Sequence, residues 1–172
     1  MRKQKGFSLI ELLIVVAIIL IIAAIAIPNL LRARIAANES SAASAVRTIN
    51  TAEVSYYSTY PTTGYSPTLP VLGNGGIGAV CPNPPTAVTA CLIDDVLAQN
   101  GNPPGSGKSG FLYTYGAAAG AGGINTTYHV EANPAVPNQT GVRSFCSIED
   151  AVVRFVPNGG VNPCTAATAP LS

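Results

Sequence analysis

The chain has 172 residues, 48% of them hydrophobic and only 10% charged, with nine basic and eight acidic side chains and a formal net charge of +1. Arg2, Lys3 and Lys5 place three of the nine basic residues in the first six positions, so the remainder carries six basic against eight acidic groups, a net of −2. That balance leaves no basic stripe for a nucleic-acid backbone, and one histidine with four cysteines in no CxxC or Cys/His spacing offers no metal site, so neither nucleic acid nor a cofactor is expected.

Behind the basic leader 1–6, the run 7–27 holds 21 residues in which Glu11 is the one charged side chain. As a helix it would rise about 31 Å, near the thickness of a bilayer core and beyond the apolar length of an ordinary signal peptide. The leader orients the N-terminus to the cytoplasm, with Arg32 and Arg34 pulling the other way. A charge inside a membrane helix costs about 2.5–3.5 kcal/mol, so a partner for Glu11 is expected. Ser8-Leu9-Ile10-Glu11 also has the S-x-x-E spacing of a capping box, which would shelter the carboxylate at the helix start. Ala24-Ile25-Ala26 fits a signal-peptidase site, but the length of the run and the embedded Glu11 favour a segment that is retained. Pro28 cannot donate to the carbonyl of Ala24, so it either opens the helix there or simply marks the exit from the membrane.

From 29 to 60 the chain is free of Gly and Pro and rich in alanine, which continues the helix to a total of about 50 residues. Ile35, Ala42, Ile49 and Tyr56 stand seven apart, with Ala45 and Ala52 between them, drawing a narrow apolar stripe on a polar surface. Of 17 glycines all but Gly6, and of 14 prolines all but Pro28, fall in 61–172. The connection 61–110 therefore reads as loop-rich, with one short helix over 92–100. Four β-branched and aromatic runs follow, FLYTYG (111–116), INTTYHVEA (124–132), VRSFCSI (142–148) and VVRFV (152–156), separated by turn signals at 120–123, 134–141 and 149–150. They predict successive antiparallel strands in 111–172. The fold class expected is α+β, a long hydrophobic-then-amphipathic helix packed on a C-terminal antiparallel sheet.

Cys81, Cys91, Cys146 and Cys164 all lie beyond the apolar run, in a part expected to be exported, where disulfides persist. Pairing Cys81 with Cys91 and Cys146 with Cys164 would close short loops and tie the tail 157–172 to the sheet, although four cysteines allow three connectivities. His129 stands alone in a predicted strand, and Asp94 and Asp95 point about 100° apart on a helix, so no catalytic site is expected. Three N-x-S/T sequons begin at Asn38, Asn125 and Asn138, and Tyr56, Tyr57 and Tyr60 cluster where the helix ends, as packing against a sheet would require.

Lys5-Gly6-Phe7-Ser8-Leu9-Ile10-Glu11-Leu12, with the long apolar helix and Pro28 behind it, resembles the type IV pilins and the pseudopilins of type II secretion. The resemblance covers 2–35, and beyond that only the layout of helix and sheet is shared. It implies cleavage between Gly6 and Phe7 by a prepilin peptidase that also N-methylates Phe7, and polymerisation of identical subunits into a helical filament cored by the helices 7–28. It further implies that Glu11 pairs with the methylated amine of Phe7, its own or a neighbour's, and that Pro28 permits local melting under tension. The subunit would wait as a single-pass inner-membrane precursor before joining an extracellular pilus. An assembly platform and a separate ATPase would lift it, since the chain lacks a phosphate-binding GxxxxGK[ST] loop. A pseudopilin or minor pilin shares this architecture, and a membrane-anchored extracytoplasmic binding module is the alternative of another class.

Overall fold

The structure, a computed structural model, describes residues 8–157 and 164–171. The chain divides into two units, Met1–Arg34 and Ile35–Ser172. Helix α1, Leu9–Thr59, is 51 residues long and supplies most of the first unit and the opening element of the second. The helix runs through Pro28 without a break.

In the second unit α1 buries Ala42, Ala45, Ile49, Ala52 and Tyr56, the residues of the expected stripe, while Ile35 is only half-buried. The buried face is wider than that stripe and more polar. A second row, Glu39, Val46 and Glu53, lies on it, with Ala43 and Asn50. Small side chains along both rows let the helix approach closely, and the core they enter is completed by Leu72, Leu97, Phe111, Tyr128, Val130 and Phe145.

After α1 a 3-10 turn, Leu69–Leu72, buries both of its leucines, and 90–92 pairs back on it, with Leu92 N donating to Leu72 O at 2.7 Å. Helix α2, Asp95–Ala98, is shorter than the expected 92–100. Asp94 is the reason at its start: its backbone is extended and its carboxylate accepts from Leu97 N at 2.9 Å, the geometry of an N-cap. Asn100, at φ +55°, turns the chain away at its end. The Asn100 side chain then pairs with Tyr113 as a strand would, accepting from its N at 2.8 Å and donating to its O at 2.9 Å.

The sheet is an antiparallel meander in the order β1-β2-β3-β4, formed by Phe111–Ala119, Asn125–Pro134, Ser144–Ile148 and Arg154–Val156. Strands β1 and β2 run a few residues beyond the predicted spans, and β3 and β4 start two residues late. In the turn 120–123, Gly122 and Gly123 adopt φ +91° and +81°, which side chains other than glycine strain to reach. Register places Tyr115 opposite Val130 and Ala132 opposite Phe145, so alternate residues of neighbouring strands meet on the core face.

Two disulfides join Cys81 to Cys91 and Cys146 to Cys164, with Cα separations of 6.0 and 5.8 Å. The second fastens the chain beyond β4. There Phe155 N donates to Ala169 O at 3.0 Å and Leu171 N to Val153 O at 2.8 Å, laying the tail along the edge of the sheet.

Candidate functional site

The first unit offers one feature with chemical consequence, the surface of α1 between Leu9 and Leu31. Every side chain from 8 to 22 is exposed, and Leu9, Ile10, Leu20, Ile21, Ile25 and Leu30 are each more than 60% exposed. Full burial of a Leu, Ile or Val stabilises by about 1.5–3 kcal/mol, so this surface is a large driving force that the chain alone leaves unused. By length and composition the helix is able to cross a membrane.

Glu11 lies in the first turn of α1 and is exposed. Ser8 precedes the first helical residue, and its carbonyl accepts from Leu12 N at 3.2 Å, so Ser8 holds the cap position and Glu11 stands three residues on. No basic group pairs with Glu11 among the described residues. Gly6 and Phe7, the expected processing residues, lie outside the described residues. Pro28 is 17 positions from Glu11, or about 25 Å along a helix, so the two do not share a site.

In the second unit the residues singled out from sequence fall in structural roles. Asp94 caps α2 and pairs with Lys108 at 2.6 Å, while Asp95 accepts from Asn74 at 2.8 Å. Tyr56 donates to Ala87 O at 2.6 Å and packs on Tyr60, and Tyr57 packs on Tyr65. Of the sequon asparagines, Asn38 donates to Thr140 O and Asn125 to Tyr65 O, whereas Asn138 is exposed in a turn. No group of three or more metal-ligating side chains occurs among the described residues.

Three polar side chains that the apolar pattern does not reveal fasten α1 to the rest of its unit. Glu39, 6% exposed, accepts from Val142 N at 2.8 Å, from Arg143 N at 3.0 Å and from Arg143 Nε at 2.9 Å. Burial pushes its carboxyl up, but the backbone bonds from Arg143 and Val142, together with the guanidinium, outweigh that and hold it below the usual range. Asn50 donates to Ser147 Oγ and Ala151 O and accepts from Tyr128 OH. Glu53, fully buried, accepts from Ser66 N at 2.9 Å and from the Ser66 hydroxyl, which also meets Tyr115 OH at 3.1 Å. Burial dominates there and raises the Glu53 carboxyl above its ordinary value. Each anchor holds a different partner, one before β3, one on β3 and one in the loop after α1, so together they fix the axial register of the helix.

Comparison with known proteins gives a family-model match within the first unit and two relatives over longer stretches. The family model of the prokaryotic N-terminal methylation motif matches residues 1–27. The type IV wide pilus major component PilA4 of Thermus thermophilus is 68% identical over 40 residues, which is 23% of this chain and 30% of that protein. The type IV major pilin protein PilA of Myxococcus xanthus is 46% identical over 56 residues, 33% of this chain and 26% of that protein. The match thus spans less than a third of either relative. No solved structure matches the chain.

Proposed function

We propose that this chain is the structural subunit of a type IV pilus, processed at the membrane and polymerised into a helical surface filament. The observation that carries the reading is the exposed apolar surface of α1 from Leu9 to Leu31, headed by a methylation motif and a single carboxylate. A bilayer satisfies that surface before assembly and the helices of other copies satisfy it afterwards. Cleavage between Gly6 and Phe7 leaves the apolar segment attached, so the mature subunit stays in the membrane until it is lifted out. N-methylated Phe7, of the same or a neighbouring copy, supplies the cation for Glu11, and this pairing sets axial register more than it adds stability. The second unit, braced by two disulfides, forms the outward part of the filament. Identical subunits, a prepilin peptidase that also methylates, an assembly platform and a separate ATPase are the partners this reading requires. The inner membrane is its first location and the cell surface its last.

The test is the mass of the N-terminal peptide from sheared surface material. A peptide beginning at Phe7 with one added methyl group supports the proposal, and filaments should vanish by electron microscopy when the chain is deleted. A peptide beginning at Met1, or at a position after Ala26, would overturn it.

A further inference from the structure

A hydrogen bond between two oxygens needs one hydrogen, so the hydroxyl groups around a buried carboxyl constrain its protonation state. Glu53 of α1 is fully buried. Its Oε2 accepts from Ser66 N at 2.9 Å, and its Oε1 meets the Ser66 hydroxyl. That hydroxyl lies 3.1 Å from Tyr115 OH of β1, and Tyr115 OH lies 2.8 Å from Ser66 O. The last oxygen belongs to a carbonyl and carries no hydrogen. Thr68 O, 3.4 Å from Ser66 Oγ, only adds a further acceptor.

Three oxygen–oxygen contacts thus run in series, from Glu53 Oε1 to Ser66 Oγ, on to Tyr115 OH and back to Ser66 O. Ser66 and Tyr115 bring one hydrogen each, and burial raises the Tyr115 hydroxyl so far that it keeps its hydrogen wherever carboxylates titrate. Two hydrogens cannot fill three contacts, whichever way the hydroxyls turn. With Glu53 ionised, one pair of oxygens would face each other bare inside the protein, at a cost comparable to a lost hydrogen bond. A proton on Oε1 removes the deficit: Glu53 donates to Ser66, Ser66 to Tyr115, and Tyr115 to Ser66 O. The ionisable groups facing the carboxyl are phenols, Tyr56 from α1, Tyr65 from the loop after it, Tyr115 from β1 and Tyr128 from β2. Glu149 and Asp150, within electrostatic reach of Tyr128, are acids, and no basic side chain pairs with Glu53 among the described residues.

We propose that Glu53 is a neutral acid with its proton on Oε1, and that this proton works as a latch between α1, the loop after it and β1. While it is bound, Ser66 bridges Glu53 to Tyr115. When it leaves, the Ser66 hydrogen turns to the carboxylate and the bond to Tyr115 is lost, so the loop is held to β1 by one bond from Tyr115 instead of two. The device lies within the second unit and does not depend on polymerisation. It differs from burial in one respect. Burial alone ties the proton affinity of Glu53 to how apolar its surroundings are, whereas the latch ties it to Tyr115 taking the Ser66 hydrogen.

The experiment follows the Glu53 carboxyl carbon by NMR in the full carbon-13-labelled chain in detergent micelles, from about pH 3 to about pH 9, the signal being identified by its absence from Glu53→Gln. In wild type its midpoint should lie above the ordinary value of 4.5, and the Tyr115 ring carbon that bears the hydroxyl should shift at the same midpoint. Tyr115→Phe keeps the ring and frees the Ser66 hydrogen for the carboxylate, so the Glu53 midpoint should fall by about one pH unit, a tenfold weaker hold on the proton. Burial alone would leave it unchanged or raise it, because phenylalanine is the less polar side chain. A wild-type midpoint at or below 4.5, a Tyr115 signal that does not follow it, or a Tyr115→Phe midpoint at or above that of wild type overturns the inference. Should Tyr115→Phe fail to fold, the two wild-type signals decide by themselves.

Discussion

Glu53 and Glu39 are two carboxylates on one face of one helix, both buried, whose acidities move in opposite directions because their partners differ. Glu39 meets two backbone N–H groups and a guanidinium, whereas Glu53 meets a serine and no cation. With the folded Glu53 carboxyl raised, the folded chain holds a proton that the unfolded chain has lost. Stability is therefore undiminished below the ordinary value of 4.5 and falls as pH rises from there toward the raised value. Glu39, Asp94 and Asp150 are lowered, so their contribution is present above the ordinary carboxylate range and is lost as pH falls below it. The windows scarcely overlap. Glu53→Gln can still accept from Ser66 N through its carbonyl and donate to the Ser66 hydroxyl, so the site remains bonded without the charge. In thermal unfolding of the detergent-solubilised chain, the variant should exceed wild type at about pH 7 to 8 and lose that advantage near pH 4.5. An advantage that persists unchanged at the lower pH would exclude titration of Glu53 as its cause.

At the scale of elements, the long helix and the four strands were legible in the sequence because each shows its own period, seven-residue spacing in 35–56 and short β-branched runs between glycines in 111–156. The polar anchors were not, because an apolar stripe is found by looking past polar residues. Glu39, Val46 and Glu53 also stand seven apart, each three positions before a member of the row Ala42, Ile49 and Tyr56, so the signal was present as periodicity and hidden by residue type. The length of α2 escaped for a different reason, since Asp94 is compatible with a helix and only its bond to Leu97 N makes it a cap. Pro28 allows a test at this scale. It lacks the N–H that would serve the Ala24 carbonyl, and proline in a helix interior costs about 3 kcal/mol relative to alanine. Pro28→Ala should slow amide exchange in the turns on either side of position 28 in micelles, and exchange as fast as in wild type would show that the proline does not weaken the helix there.

For the whole molecule, the exposed apolar surface of α1 is one that lipid or, on the proposed reading, other copies would cover, while Glu11 at its head would on that reading need a cation brought by the copies. The proposed reading gives Glu11 two separable roles, a capping residue three positions after Ser8 and a charge to be paired. Glutamine serves the first, because an N3 glutamine reaches back to the cap as a glutamate does, but it cannot serve the second. Glu11→Gln should therefore leave the helix start, membrane insertion and cleavage before Phe7 intact, and still reduce filament yield. Processed subunit would accumulate in the membrane fraction, read by the same N-terminal peptide mass, while sheared surface material falls. Normal filament yield from Glu11→Gln would assign the carboxylate to capping alone, and the register of the assembly would then have to come from contacts in the second unit.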